Sequence, residues 1–155
     1  MRSDIGEAYE ASTTPTSALQ AAKGQRLSLR RAIDDFQAAL QAPAGAADLD
    51  RLVSVLEHLR VVFAVHVEVT ESSGGLYEEI MEITPRLANK IARFKREHTA
   101  ITGAIGSALD DLRKDDVPRR LPGGLTHLLE TLARHRKRGA DLVYEAYHVD
   151  IGGES

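Results

Sequence analysis

Apolar residues recur at three- and four-residue intervals through four segments of this chain, and nowhere do they alternate as a half-buried strand requires. Proline and glycine divide the segments. The first helix is expected to start at Thr14-Pro15, bury Leu29, Ile33, Phe36 and Leu40, and stop around Pro43 and Gly45. The second is expected from near Asp48 and carries Leu52, Val55, Leu59, Val62, Phe63 and His66. Ser72-Ser73-Gly74-Gly75 ends it, because paired glycines cost too much backbone entropy inside a helix. A short turn over 76–83 leads to Thr84-Pro85 and a third helix burying Leu87, Ile91, Phe94, His98, Ile101, Ile105 and Leu112. After a connection over 115–124 the fourth carries Leu125, Leu128, Leu132, His135, Leu142 and Ala146, fraying at Gly152. The expected fold is all-α, an up-down-up-down four-helix bundle over 14–152, with residues 1–13 as a flexible tail.

At 155 residues the chain suits one domain with one core. It has no cysteine, which excludes disulfides, zinc–thiolate sites and thiol catalysis. A net charge of −3 is the wrong sign for a nucleic-acid binder, and three Phe, four Tyr and no Trp make a poor base-stacking platform. The basic run Arg134, Arg136, Lys137, Arg138 reads as a solvated helix face. Neither Gly123-Gly124 nor Gly152-Gly153 has the partners of a phosphate loop, and Ser72 and Ser73 lack the elbow of a nucleophilic serine. The longest apolar run is Val61 to Val65, so no membrane span is expected. With a polar, acidic start over 1–14, the expected location is the cytoplasm.

Histidine is where the pattern becomes chemical. His66, His98 and His135 each fall on the apolar stripe of a different helix. A buried imidazole must hydrogen-bond, stay neutral at a cost, or bind metal. Three of them on three helices can meet at one level of a bundle core, where such folds place metal sites. Glu71 follows His66 by five residues, Glu97 directly precedes His98, and Asp141 follows His135 by six. Imidazole and carboxylate without sulfur suit iron or manganese and can hold zinc.

His66…Glu71 followed by Gly75-Leu76-Tyr77, and His135…Asp141-Leu142-Val143-Tyr144, resemble the two histidine–carboxylate helices of hemerythrin-like (HHE cation-binding) proteins. Glu97-His98 resembles the Glu-His element of that family's third helix, and the stretch 135–147 resembles actinobacterial members. The resemblance covers roughly residues 16–150. It implies a non-haem di-iron centre with His66, His98 and His135 as nitrogen ligands and Glu71 and Asp141 as carboxylates, with Glu97, Tyr77 and Tyr144 as additional or outer groups. The implied ligands are O2, peroxide or nitric oxide, with a peroxidase- or catalase-like or nitric-oxide-consuming activity.

The chain departs from that pattern in two ways. No histidine precedes His58, so the family's first-helix ligand is missing. His58 is no substitute, lying about 12 Å along the axis from His66; His127 stands in the same relation to His135, and His148 is expected in solvent. Asp34 and Asp35 sit beside the first stripe and are expected in solvent. Glu71 lies about 140° and Asp141 about 240° round an ideal helix from its histidine, so each needs a local break, at the end of the second helix and at Gly139. Three histidines and two carboxylates are lean for two irons, which leaves one iron or zinc as the alternative. The competing readings are an iron-responsive sensing module without turnover and a metal-free bundle, as monomer or homodimer.

Overall fold

Thr16 opens the first helix: its Oγ1 accepts the Leu19 backbone N–H at 3.1 Å, satisfying one of the donors a helix start leaves free. The computed structural model describes residues 16–41, 46–114 and 123–149, and all regular structure among them is helical. The long helices are α1 (Ser17–Gln41), α2 (Ala46–Glu71), α4 (Ala88–Leu112) and α5 (Gly123–Tyr144), with a short α3 (Leu76–Ile83) between α2 and α4. The expected Thr14-Pro15 start, the tail, the 115–122 connection and Gly152 lie outside the described residues. No described helix is long and apolar enough to cross a membrane.

The segment over 76–83, expected as a turn, is a two-turn helix that buries Leu76, Tyr77 and Ile80. Gly74 ends the preceding turn at φ +74°, a conformation that favours glycine. Gly75 is required for another reason: a Cβ there would meet the backbone oxygens of Val69 and Ser72 at 2.8 Å. The chain therefore doubles back tightly enough to lay α3 beside the end of α2. Thr84-Pro85 does start the next element, but as a 3₁₀ turn over Pro85–Leu87. The Thr84 hydroxyl, instead of capping it, donates to the Ala146 carbonyl at 3.2 Å. That carbonyl lies in the π turn Glu145–Val149 that follows α5. Glu145 anchors the same turn, accepting from Arg86 and Lys90 at 2.8 Å each.

α1 packs on α2, α2 on α4, α4 on α5, and α5 back on α1. Two apolar clusters fill the interior. One is built on Leu29, Phe36, Leu56, Phe63, Ile101, Ile105 and Leu132, the other on Ala22, Leu76, Tyr77, Ile91, Phe94 and Leu142. Along each long helix the switch from one cluster to the other falls at a buried polar residue. These are Gln25, His66, His98 and His135, and α2 buries a second polar residue, Thr70, one turn beyond His66.

Candidate metal centre

The three stripe histidines meet. Their potential donor atoms all lie within 4.8 Å of one another, and the residues are between 1% and 9% exposed. His135 Nε2 stands 3.1 Å from His98 Nε2 and 3.3 Å from His66 Nε2. Phe63 lies against all three rings, with centroids 5.5, 5.6 and 6.0 Å from those of His66, His98 and His135.

Each ring is held from behind by the helix before it in the packing order. Gln25 on α1 faces His66 on α2, with Oε1 2.7 Å from Nδ1. Glu71, at the end of α2, faces His98 on α4 at 2.5 Å. Glu97 on α4 faces His135 on α5 at 2.8 Å. The Gln25 amide has one orientation, since its Nε2 donates to the Val62 carbonyl at 3.2 Å and a carbonyl can only accept. Its oxygen therefore meets His66 Nδ1, which carries the proton. Two carboxylates impose the same choice on the other rings. All three Nδ1 atoms donate, and all three Nε2 atoms are left as acceptors pointing at one another.

Protons do not relieve that crowding near neutral pH. Burial, then the neighbouring His98 and His135, push His66 down to about 3. Burial and then His135 take His98 to about 3 against the pull of Glu97. His135 is also lowered, by burial, with the Glu97 hydrogen bond opposing. What remains is three neutral imidazoles with converging lone pairs, the donor set of a transition-metal site.

The two separations from His135 Nε2, 3.3 and 3.1 Å, are those of neighbouring donors on one ion. Zinc–nitrogen bonds of about 2.0–2.1 Å in a tetrahedron place neighbouring donors about 3.3 Å apart, and cis positions of an octahedron with bonds near 2.2 Å place them about 3.1 Å apart. Glu71 and Glu97 supply two negative charges just behind the imidazoles, where a buried dication needs them. Arg138 pairs with the second Glu97 oxygen at 2.8 Å and fixes that carboxylate.

The other expected residues are placed as follows. Glu71 sits behind His98 rather than beside its Nε2. Asp141 is exposed, and it does not join the cluster, because α5 runs unbroken through Gly139. The wide turn comes four residues past Asp141, at Glu145. Tyr144 is 61% exposed. Tyr77 does reach the centre: its ring stacks on His98 at 5.7 Å, and its hydroxyl donates to His98 Nε2 at 3.3 Å. Burial raises its pKa, so the phenol keeps its proton. His58, His127, Asp34 and Asp35 are exposed.

Gln25 is the functional residue that the sequence reading passed over. It lies four residues before Leu29, on the same stripe, so a polar residue interrupting apolar spacing was its visible signal. Compared with protein-family models, curated proteins and solved structures, the chain matches none of them, and the reading of this centre rests on its own atoms.

Proposed function

We propose that this protein is a metalloprotein that holds one divalent transition-metal ion, iron or zinc, on Nε2 of His66, His98 and His135. In this reading the four long helices form an up-down-up-down bundle of the hemerythrin-like kind, with the centre reduced from two ions to one. The observation that carries it is the set of three acceptor nitrogens converging at 3.1 and 3.3 Å, each with its other nitrogen engaged. His98 Nε2 has the Tyr77 hydroxyl as donor, whereas the His66 and His135 acceptors face the cluster without one, at a cost of about 1–3 kcal/mol each. A cation at their common point removes that cost and turns the arrangement into binding energy. With Glu71 behind His98 and Asp141 in solvent, the arrangement supports a single ion.

Three imidazoles leave at least one coordination position open, and an ion so held acts as a Lewis acid toward water or a small ligand. The chain's own part is to orient the rings through Gln25, Glu71 and Glu97, exclude bulk water with Phe63, and present the Tyr77 hydroxyl. Elemental analysis of protein from cells supplied with both metals, with an absorption spectrum of the same sample, tests the reading. About one ion per chain is expected, as a three-histidine site with an open position holds. Two irons per chain with an oxo-to-iron band would restore the di-iron centre, and no metal at all would leave a polar layer in a metal-free bundle. If the ion is iron, peroxide and nitric oxide are the first reactants to try.

The brace on His66 has its own test. Gln25→Leu removes the acceptor that fixes the His66 tautomer while keeping the volume apolar. Loss of such an outer partner typically weakens metal binding roughly 10–100-fold. A chelator competition titration should show that loss with the helical circular dichroism unchanged. Wild-type affinity in this variant would mean that the hydrogen bond plays no part in holding the ion.

A further inference from the structure

A small cavity of about 30 Å³ lies beside the centre, between α1 and α5 on the side of the second apolar cluster. Its wall includes His66 and His135, the polar side chains of Thr70 and Tyr77, and two arginines, Arg26 and Arg136. A water needs about 10–15 Å³ on this measure, so the space takes a ligand of two or three heavy atoms. Tetrahedral oxyanions of five heavy atoms are too large for it.

Charge then narrows the class. No carboxylate lines the cavity among the described residues. Glu71 and Glu97, whose charges act on Tyr77 in the wall, are themselves engaged by the Nδ1 atoms of His98 and His135. Arg26 and Arg136 make no ion pair with any described residue, whereas Arg138, two residues on, is committed to Glu97. An ion on the three imidazoles, offset by Glu71 and Glu97 behind the rings, turns its open coordination face toward the same space, where the added positive charge is that of the two arginines. Tyr77 adds a donor. Its O–H meets the His98 Nε2 lone pair at 3.3 Å and the phenol also hydrogen-bonds Thr70; once an ion takes that lone pair, the O–H can turn to a ligand in the cavity.

We infer that the cavity is a chamber for a small inorganic monoanion of at most three heavy atoms, held between the ion and the Tyr77 hydroxyl and drawn in by Arg26 and Arg136. The inference rests on the one-ion reading above and adds the class of ligand. Gly139 lines the chamber, and a Cβ added there would meet nothing within 4 Å, so a larger side chain can be placed at this point of the wall to narrow the space.

The test uses the full chain loaded with cobalt(II), whose visible bands report changes at the ion. Cobalt content is measured first, and nitrite and sulfate are then titrated separately. Nitrite should shift the bands saturably and sulfate should not. Replacing both Arg26→Ala and Arg136→Ala should weaken nitrite roughly tenfold, while the paired lysine variants, which keep the charge, retain most of the affinity. Tyr77→Phe should weaken it about tenfold, as the loss of a hydrogen bond to an anion does, and Gly139→Leu should slow its binding. Equal responses to nitrite and sulfate, or alanine variants that bind nitrite like the wild type, would overturn the chamber while leaving the metal site standing. A chain that takes up no cobalt fails before any anion is added, and overturns the metal reading and this inference together.

Discussion

His135→Leu should take the chain from about one bound ion to less than roughly a tenth of one, because a three-imidazole site loses its geometry with any one member. His135 is the right residue to remove, since its Nε2 stands within 3.3 Å of both the others. The metal-free variant, by contrast, should be no less stable than the metal-free wild type. Leucine ends the crowding of acceptors and packs into the apolar space between Phe63 and Phe94, whose rings now face His135 at 6.0 and 5.4 Å. Glu97 loses its imidazole partner but keeps Arg138. The wild type should gain stability on loading, by about 2.7 kcal/mol when the free ion is a hundredfold above its Kd, and the variant should gain none. Thermal melts of both proteins with and without a chelator read all of this. A polar layer with no metal role predicts the opposite pair of results: a variant destabilised without metal, and a chelator that changes neither melt.

Much of this centre was legible in the sequence because a polar residue on an apolar stripe is conspicuous. His66, His98 and His135 stand out for that reason, and the layer they form follows from such a residue on each of three helices. The carboxylates were harder to read. Spacing within one helix assigns Glu71 to His66 and Asp141 to His135, but the structure pairs Glu71 with His98 and Glu97 with His135. Those pairs cross between helices, and which helix lies beside which is a tertiary fact that periodicity along one chain segment does not carry. Glu97 illustrates the point: next to His98 in sequence, it points toward α5 because adjacent residues on a helix face about 100° apart. Gln25 was hidden by its type, since one glutamine in an apolar stripe invites no chemical reading until its partner is known. The α3 helix was hidden by its length. Leu76, Tyr77 and Ile80 have helical spacing, but two turns are too few for periodicity to separate a helix from a turn.

Acid should unfold the metal-free protein sharply, and the three buried imidazoles set where. His66 and His98 titrate near 3 when folded against 6.5 for the free side chain, and His135 is shifted in the same direction. Below about pH 6.5 the unfolded chain therefore binds protons that the folded chain refuses. Each such histidine costs about a factor of ten in the folding equilibrium per pH unit, so two cost about a hundred and the third adds to them. Above pH 7 the imidazoles are neutral in both states and stability should be flat with respect to them. A domain of ordinary stability, about 5–15 kcal/mol, is used up within two or three units below 6.5. Urea midpoints measured with a chelator present should hold steady from pH 8 to 7 and collapse between about pH 5 and 4; equal midpoints at pH 8 and 5 would mean that the rings are hydrated and already protonated in the folded state. The loaded protein should resist to a lower pH, because protons must first displace the ion from the same three Nε2 atoms. Release of metal should then precede loss of helix, and the gap between the two acid transitions measures how much of the fold's acid resistance comes from the ion.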